Sequence, residues 1–166
     1  MTTPDYALHS LGWNAFQHLC GTILREVWGQ TFQVFADGND AGRDGAFYGQ
    51  WKSKAKKTLS GNTTIQCKFT NRAGKSIVPS ELNEELEKAR HLAELGLADN
   101  YLLITNCNIT GISESEIRRK FEEIHGINKC LCYGREWICS VIAENKRLRM
   151  LVPRLYGLGD LTQISG

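Results

Sequence analysis

A chain of 166 residues with 42% hydrophobic content can bury one core and is too short to suggest two full domains. Lys and Arg number 20 against 18 Asp and Glu, a formal charge of +2, so net charge alone announces no nucleic-acid partner and any such case must rest on local clustering. No apolar run approaches the roughly 18 to 20 residues needed to span a bilayer, which argues against a membrane-embedded role.

The opening MTTPDYALHS has no basic segment followed by an apolar stretch. Six cysteines, at positions 20, 67, 107, 130, 132 and 139, sit mostly inside apolar runs, and the reading is a reducing, cytoplasmic setting.

From Leu11 to Trp28 the residues Phe16, Leu19, Cys20, Ile23, Leu24 and Val27 recur at helical spacing, which predicts an amphipathic helix capped at Ser10 and stopped at Gly29. Gln17 and Glu26 fall on opposite shoulders of its apolar stripe. TFQVFA, residues 31–36, alternates like a strand. The turn DGNDAGRDG follows, and GAFYG makes a second short strand. WKSKAKKTLSGN carries four lysines and a Ser-Gly-Asn turn, the pattern of an exposed hairpin connection.

TIQCKF, Thr64 to Phe69, reads as a third strand, with Ile65, Cys67 and Phe69 on one face and Thr64, Gln66 and Lys68 on the other. NRAGKS is a loop with Arg72 and Lys75. PSELNEELEKARHLAELG predicts a second helix capped at Ser80, with Leu82, Leu86, Ala89, Leu92 and Ala93 inward and Gly96 closing it. YLLITN, 101–106, is a strand covered on both faces. Ser113 to His125 predicts a third helix with Ser113 and Glu116 as a capping box. NKCLCYG gives a short strand and REWICSVIAEN a last helix. The remainder, 146–166, loses periodicity and is expected to be a linker beyond a domain spanning 1–145.

Phosphodiester cleavage needs charge neutralisation at the phosphoryl group, an activated water and help for the leaving oxygen, much of which a divalent cation supplies. Asp44, the Gln66 side-chain oxygen and the Cys67 main-chain carbonyl are oxygen donors of the kind Mg²⁺ takes. Lys68, about 6.6 Å along the same face of the strand, is placed to orient water or offset charge. A lysine at that position, beneath a covering helix, needs a partner, and Asp44 is the candidate. Asp40, in the same turn, reads as structural.

The order helix, strand, Asp44 in GRDG, then Gln66-Cys67-Lys68 on a strand before a helix resembles the PD-(D/E)XK nuclease superfamily, and more narrowly the Mrr-like restriction endonucleases. In these the residue two before the lysine is commonly glutamine. The resemblance covers roughly Leu11 to Asn106. It implies an α/β fold with an αβββαβ core and a central mixed sheet flanked by helices. It also implies Mg²⁺-dependent DNA cleavage, with Mn²⁺ able to substitute, and catalytic roles for Asp44, Gln66 and Lys68. Many Mrr-like domains carry a glutamate after an aromatic residue on the first helix. Here the matching pair is Phe16-Gln17, so either Gln17 or Glu26 completes the site.

Arg43, Lys52, Lys54, Lys56, Lys57, Arg72 and Lys75 flank the motif in sequence, a pattern that suits backbone phosphates of double-stranded DNA and equally a solvated surface. His125, Cys130, Cys132 and Cys139 cluster without a CxxC pair, so buried thiols are the expectation rather than zinc. In the tail, LVPRLYGLGDL is similar to the segment joining an effector domain to the nucleotide-binding part of antiviral STAND-type ATPases. That resemblance implies a linked NTPase sensor, a homo-oligomer (dimer or tetramer) and an antiphage role switched by assembly. Two amides where carboxylates are usual leave open a non-catalytic nucleic-acid-binding or oligomerisation module of the same fold.

Overall fold

The structure, a computed structural model, describes residues 5–29, 33–34, 45–48, 51–52 and 58–155. In chain order these form α1 (Trp13–Trp28), β1 (Gln33–Val34), β2 (Gly45–Tyr48), β3 (Trp51–Lys52), β4 (Thr58–Leu59) and β5 (Asn62–Lys68). There follow α2 (Asn83–Glu94), β6 (Asn100–Thr105), α3 (Gly111–Glu122), β7 (Lys129–Tyr133), α4 (Arg135–Glu144) and α5 (Lys146–Leu155). The main sheet has the order β1-β2-β5-β6-β7. Its first three strands are antiparallel neighbours, and β5, β6 and β7 run parallel. The αβββαβ core with a mixed sheet is therefore present, with β3 and β4 paired as a separate hairpin between the second and third core strands.

The period of two in the strands divides the core into two layers. Ile65, Cys67, Leu102, Ile104 and Leu131 face α1, α4 and α5, packing with Phe16, Leu19, Ile23, Leu24, Ile138, Ile142 and Leu148. Tyr101, Leu103, Cys130 and Cys132 face the other way, toward Leu86, Ala89 and Leu92 of α2 and Ile117 and Phe121 of α3. Tyr101 and Phe121 stack with centroids 4.4 Å apart, an arrangement that adds about 0.5–1.5 kcal/mol beyond area burial. All six residues of β6 are buried, as its apolar run predicts.

Several boundaries differ from expectation. α1 begins after Gly12, not Ser10, which belongs to a preceding 3-10 turn. Pro79–Leu82 form a 3-10 turn and α2 proper starts at Asn83, so Ser80 is no cap. α3 is capped by Thr110, whose hydroxyl accepts from the Ser113 amide at 3.1 Å, in place of the Ser113 and Glu116 box. Thr110 wins because its φ of −76° and ψ of 159° are extended, the geometry an N-cap side chain needs.

The stops at Gly29 and Gly96 are as read, with φ of 67° and 73°. At Gly96 the amides of Gly96 and Leu97 reach Ala93 and Leu92 carbonyls at 3.0 and 2.9 Å, the hydrogen-bond pattern of a Schellman motif. The segment from 146, expected to lose periodicity, is helical to Leu155. Leu148 is fully buried against α1 and α4, and only residues 156–166 of the expected linker lie outside the described residues.

Candidate active site

The site is built at the carboxyl end of β5, where the sheet changes from antiparallel to parallel neighbours. Gly45, the first residue of β2, pairs with Ile65, and Lys68 pairs with Thr105 of β6. Gln66 and Lys68 share the face that looks toward α2, as alternation requires, because Ile65, Cys67 and Phe69 pack on the α1 side. Gln66 is 6% exposed, and its amide Nε2 lies 3.4 Å from the Cys67 carbonyl oxygen.

Among the described residues Lys68 has a partner that the sequence reading missed. Its Nζ donates to Oε1 of Glu85 at 2.7 Å, with side-chain exposures of 27% and 11%. Oε2 of Glu85 is buried without a hydrogen-bond partner among the described residues. The sequence did hold a signal. On a helix turning 100° per residue, Glu85 falls inside the stripe of Leu82, Leu86, Ala89 and Leu92, so a carboxylate interrupts the buried face of α2. Asp44, the partner anticipated from sequence, lies outside the described residues, as do Asp40, Arg43, Lys54, Lys56 and Lys57. Lys52 is on β3, where the backbone alone is described.

Residues after β5 are pinned to the sheet. Asn106 accepts from the Thr70 amide and donates to the Thr70 carbonyl, both at 2.8 Å. Farther on, the Ile77 amide donates to the Asn108 carbonyl at 3.0 Å and the Asn108 amide to the Lys75 carbonyl at 2.8 Å. Arg72 is exposed on this loop. Lys75 donates to Glu81 at 2.8 Å, and that hydrogen bond holds the Glu81 carboxyl below its usual range.

α1 brings one of the two alternatives to the same end of the sheet. Phe16 packs its ring 5.5 Å from that of Phe69, which sets the turn carrying Gln17 beside the end of β5. Glu26 lies nine residues on, about 13.5 Å along the axis, and forms an ion pair with Arg147 of α5 at 3.5 Å. It lines a cleft with Thr22, Arg25, Leu148 and Leu151.

The six cysteines are free and buried. Burial, then hydrogen bonding and charge from Cys132, push the Cys130 thiol well above its ordinary range, and burial also raises Cys139. Tyr133, stacked on Trp137 with centroids 3.9 Å apart, is pushed up to about 12 by burial. No helix among the described residues is long and apolar enough to cross a membrane.

The arrangement sets an amide, a main-chain carbonyl, an ammonium and a carboxylate at the carboxyl end of parallel strands, the edge where open α/β sheets take ligands. Searches of curated proteins and of solved structures return no match. Residues 8–128 match the family model of the Mrr-type restriction endonuclease catalytic domain, and with most of its length covered, helix, mixed sheet and Gln66-Cys67-Lys68 included, the chain belongs to that restriction endonuclease family.

Proposed function

We propose that the chain is a Mg²⁺-dependent endonuclease that hydrolyses phosphodiester bonds of double-stranded DNA in the cytoplasm with little sequence preference. We further propose that it acts as an antiphage effector switched on by assembly. The observation that carries the first reading is the shared face of β5, which holds Gln66 and Lys68 together at its carboxyl end in a chain of the restriction endonuclease family. The second rests on the similarity of LVPRLYGLGDL to effector linkers of STAND-type ATPases, which also motivates a linked NTPase and a dimer or tetramer.

The donor set suits a hard divalent cation. Mg²⁺ takes oxygen ligands and keeps several waters, and Gln66 and the Cys67 carbonyl put an amide group and a carbonyl oxygen at one point of β5. Asp44 supplies the carboxylate in this reading. Its chain neighbour Gly45 pairs with Ile65, the residue before Gln66. The cation supplies charge neutralisation at the phosphoryl group and makes the nucleophile easier to form. Lys68 orients the attacking water through an N–H not used by Glu85, and Gln17 adds a hydrogen-bonding group from α1.

Arg72 contacts backbone phosphate, and so does Lys75, because an exposed pair such as Lys75 and Glu81 is worth only about 0–1 kcal/mol and yields readily to phosphate. Arg43, Lys52, Lys54, Lys56 and Lys57, on the other side of Gln66 and Lys68 in sequence, extend the same contact.

The test is incubation of the purified chain with supercoiled plasmid and with RNA, each with Mg²⁺ or Mn²⁺. Nicking of DNA that is lost in Asp44→Ala and Lys68→Ala supports the proposal, and cutting by both variants at the native rate refutes the site. The second reading, a binding module without catalysis, is favoured by the neutral Gln66 amide where a carboxylate would hold the cation more tightly. It predicts a shifted but uncut DNA band. Degradation of RNA with duplex DNA untouched would make the chain a ribonuclease.

A further inference from the structure

We propose that Glu85 is a positioning residue for Lys68 in the cleavage reaction, an inference that rests on the nuclease reading of the site. Lys68 is the last residue of β5, and its flexible four-carbon stem carries about 2 kcal/mol of rotamer entropy. Without a partner the ammonium has no fixed address. Glu85 gives it one at 2.7 Å.

The carboxylate is itself held rigidly. Glu85 sits in the first turn of α2, where the helix dipole favours negative charge. Leu82, Leu86, Ala89 and Leu92 anchor the same face of the helix into the core.

The pair is a poor device for stability alone. A buried ion pair is often no better than apolar residues of similar volume, and among the described residues Glu85 has one buried oxygen without a hydrogen-bond partner, which costs about 1–3 kcal/mol. A leucine at 85 would simply extend the stripe. What the carboxylate adds, and leucine cannot, is the location of the Lys68 head. An ammonium has three N–H donors, and Glu85 is its one acceptor among the described residues. Two donors are left for the attacking water and a phosphoryl oxygen. Fixing the first donor orients the other two, and misplacement by about 1 Å can cost roughly 10²-fold in rate.

The test is steady-state cleavage of supercoiled plasmid with Mn²⁺ by the native chain, Lys68→Ala, Glu85→Ala, Glu85→Gln and the Lys68→Ala/Glu85→Ala double variant, with circular dichroism on each. Lys68→Ala is expected to lower kcat by roughly 10²-fold or more. Glu85→Ala is expected to lower kcat by about 10-fold or more with KM for DNA unchanged, and Glu85→Gln, which keeps an acceptor oxygen and the side-chain shape, to recover part of the loss. The double variant should be no slower than Lys68→Ala, since a residue acting only through Lys68 has nothing left to position.

Glu85 is refuted as a positioning residue if Lys68→Ala is impaired while Glu85→Ala and Glu85→Gln both cut at the native rate. It is equally refuted if the losses multiply in the double variant. A native chain that cuts nothing, or a Lys68→Ala that cuts normally, overturns the nuclease reading and the inference with it. Should Glu85→Ala fail to fold, Glu85→Gln carries the comparison alone.

Discussion

The ion pair between Lys68 and Glu85 makes an asymmetric prediction about stability. Lys68→Met leaves a carboxylate whose side chain is only 11% exposed, with one oxygen already without a partner among the described residues and the other losing its donor. Stranding one member of a buried pair costs about 3–5 kcal/mol, and partial access to water puts this case near about 3. Glu85→Leu leaves an ammonium with 27% exposure on a stem able to swing it into water, while the leucine joins Leu82, Leu86 and Ala89. That cost should be within about 1 kcal/mol, and the Lys68→Met/Glu85→Leu double variant should be near neutral or more stable than the native chain. For a chain of this length 1 kcal/mol shifts Tm by roughly 2–4 °C, so Lys68→Met should melt about 6–12 °C lower. Urea denaturation followed by circular dichroism measures all three. If Glu85→Leu is the more damaging single change, or the double variant is worse than Lys68→Met, the account of the pair is wrong.

Gln17→Ala should slow plasmid nicking by about 10-fold, whereas Glu26→Ala, which removes only a pairing with Arg147, should cut normally; the reverse pattern would put the α1 contribution at the other end of the helix. Asn106→Ala removes two hydrogen bonds to Thr70 and should cost about 2 kcal/mol in urea titrations, with faster hydrogen exchange at the Thr70 amide. Gly61→Ala should cost more than about 1 kcal/mol, because φ is +92° there and the added Cβ would come 2.5 Å from the Asp99 carboxylate. Tyr133, raised from 10.0 to about 12 by burial and then by Glu114, holds its proton folded where the unfolded chain has lost it. Its contribution is therefore complete below pH 10 and is lost as pH rises toward 12. Tyr133→Phe should flatten that part of the stability profile.

The strands and their faces were legible because alternation is a local signal. Ile65, Cys67 and Phe69 were assigned to one side and Gln66 and Lys68 to the other from period two alone, and both hydrophobic layers follow that division. Helix stops at Gly29 and Gly96 were legible because positive φ selects glycine. Starts were harder, since Ser10, Ser80 and Ser113 all have cap-forming side chains, and only backbone geometry shows which residue caps. α5 was missed although Leu148, Leu151, Val152 and Leu155 recur at helical spacing, because Pro153 and the glycines beyond it read as a break. Its helical state follows from Leu148, Leu151 and Val152 packing on a core that the sequence does not display.

Glu85 marks a different limit, one of inference between elements. Lys68 needs a counter-ion, and the sequence motif points to Asp44, which lies outside the described residues. The described sheet offers no other acid on that face. In parallel pairing the residue beside Lys68 is Thr105 and the one beside Gln66 is Leu103, neither of them charged, and the next same-face positions on β5 are Gln66 and Thr64. The counter-ion seen in the structure comes from the helix lying over the sheet. α2 can deliver it only at one register, because a displacement of one helical turn, about 5.4 Å, would carry Glu85 out of reach and bring an apolar residue over the lysine. The packing of Leu86, Ala89 and Leu92 under α2 and the location of the Lys68 ammonium are therefore one constraint. A substitution that loosens α2 should cost cleavage before it costs the sheet.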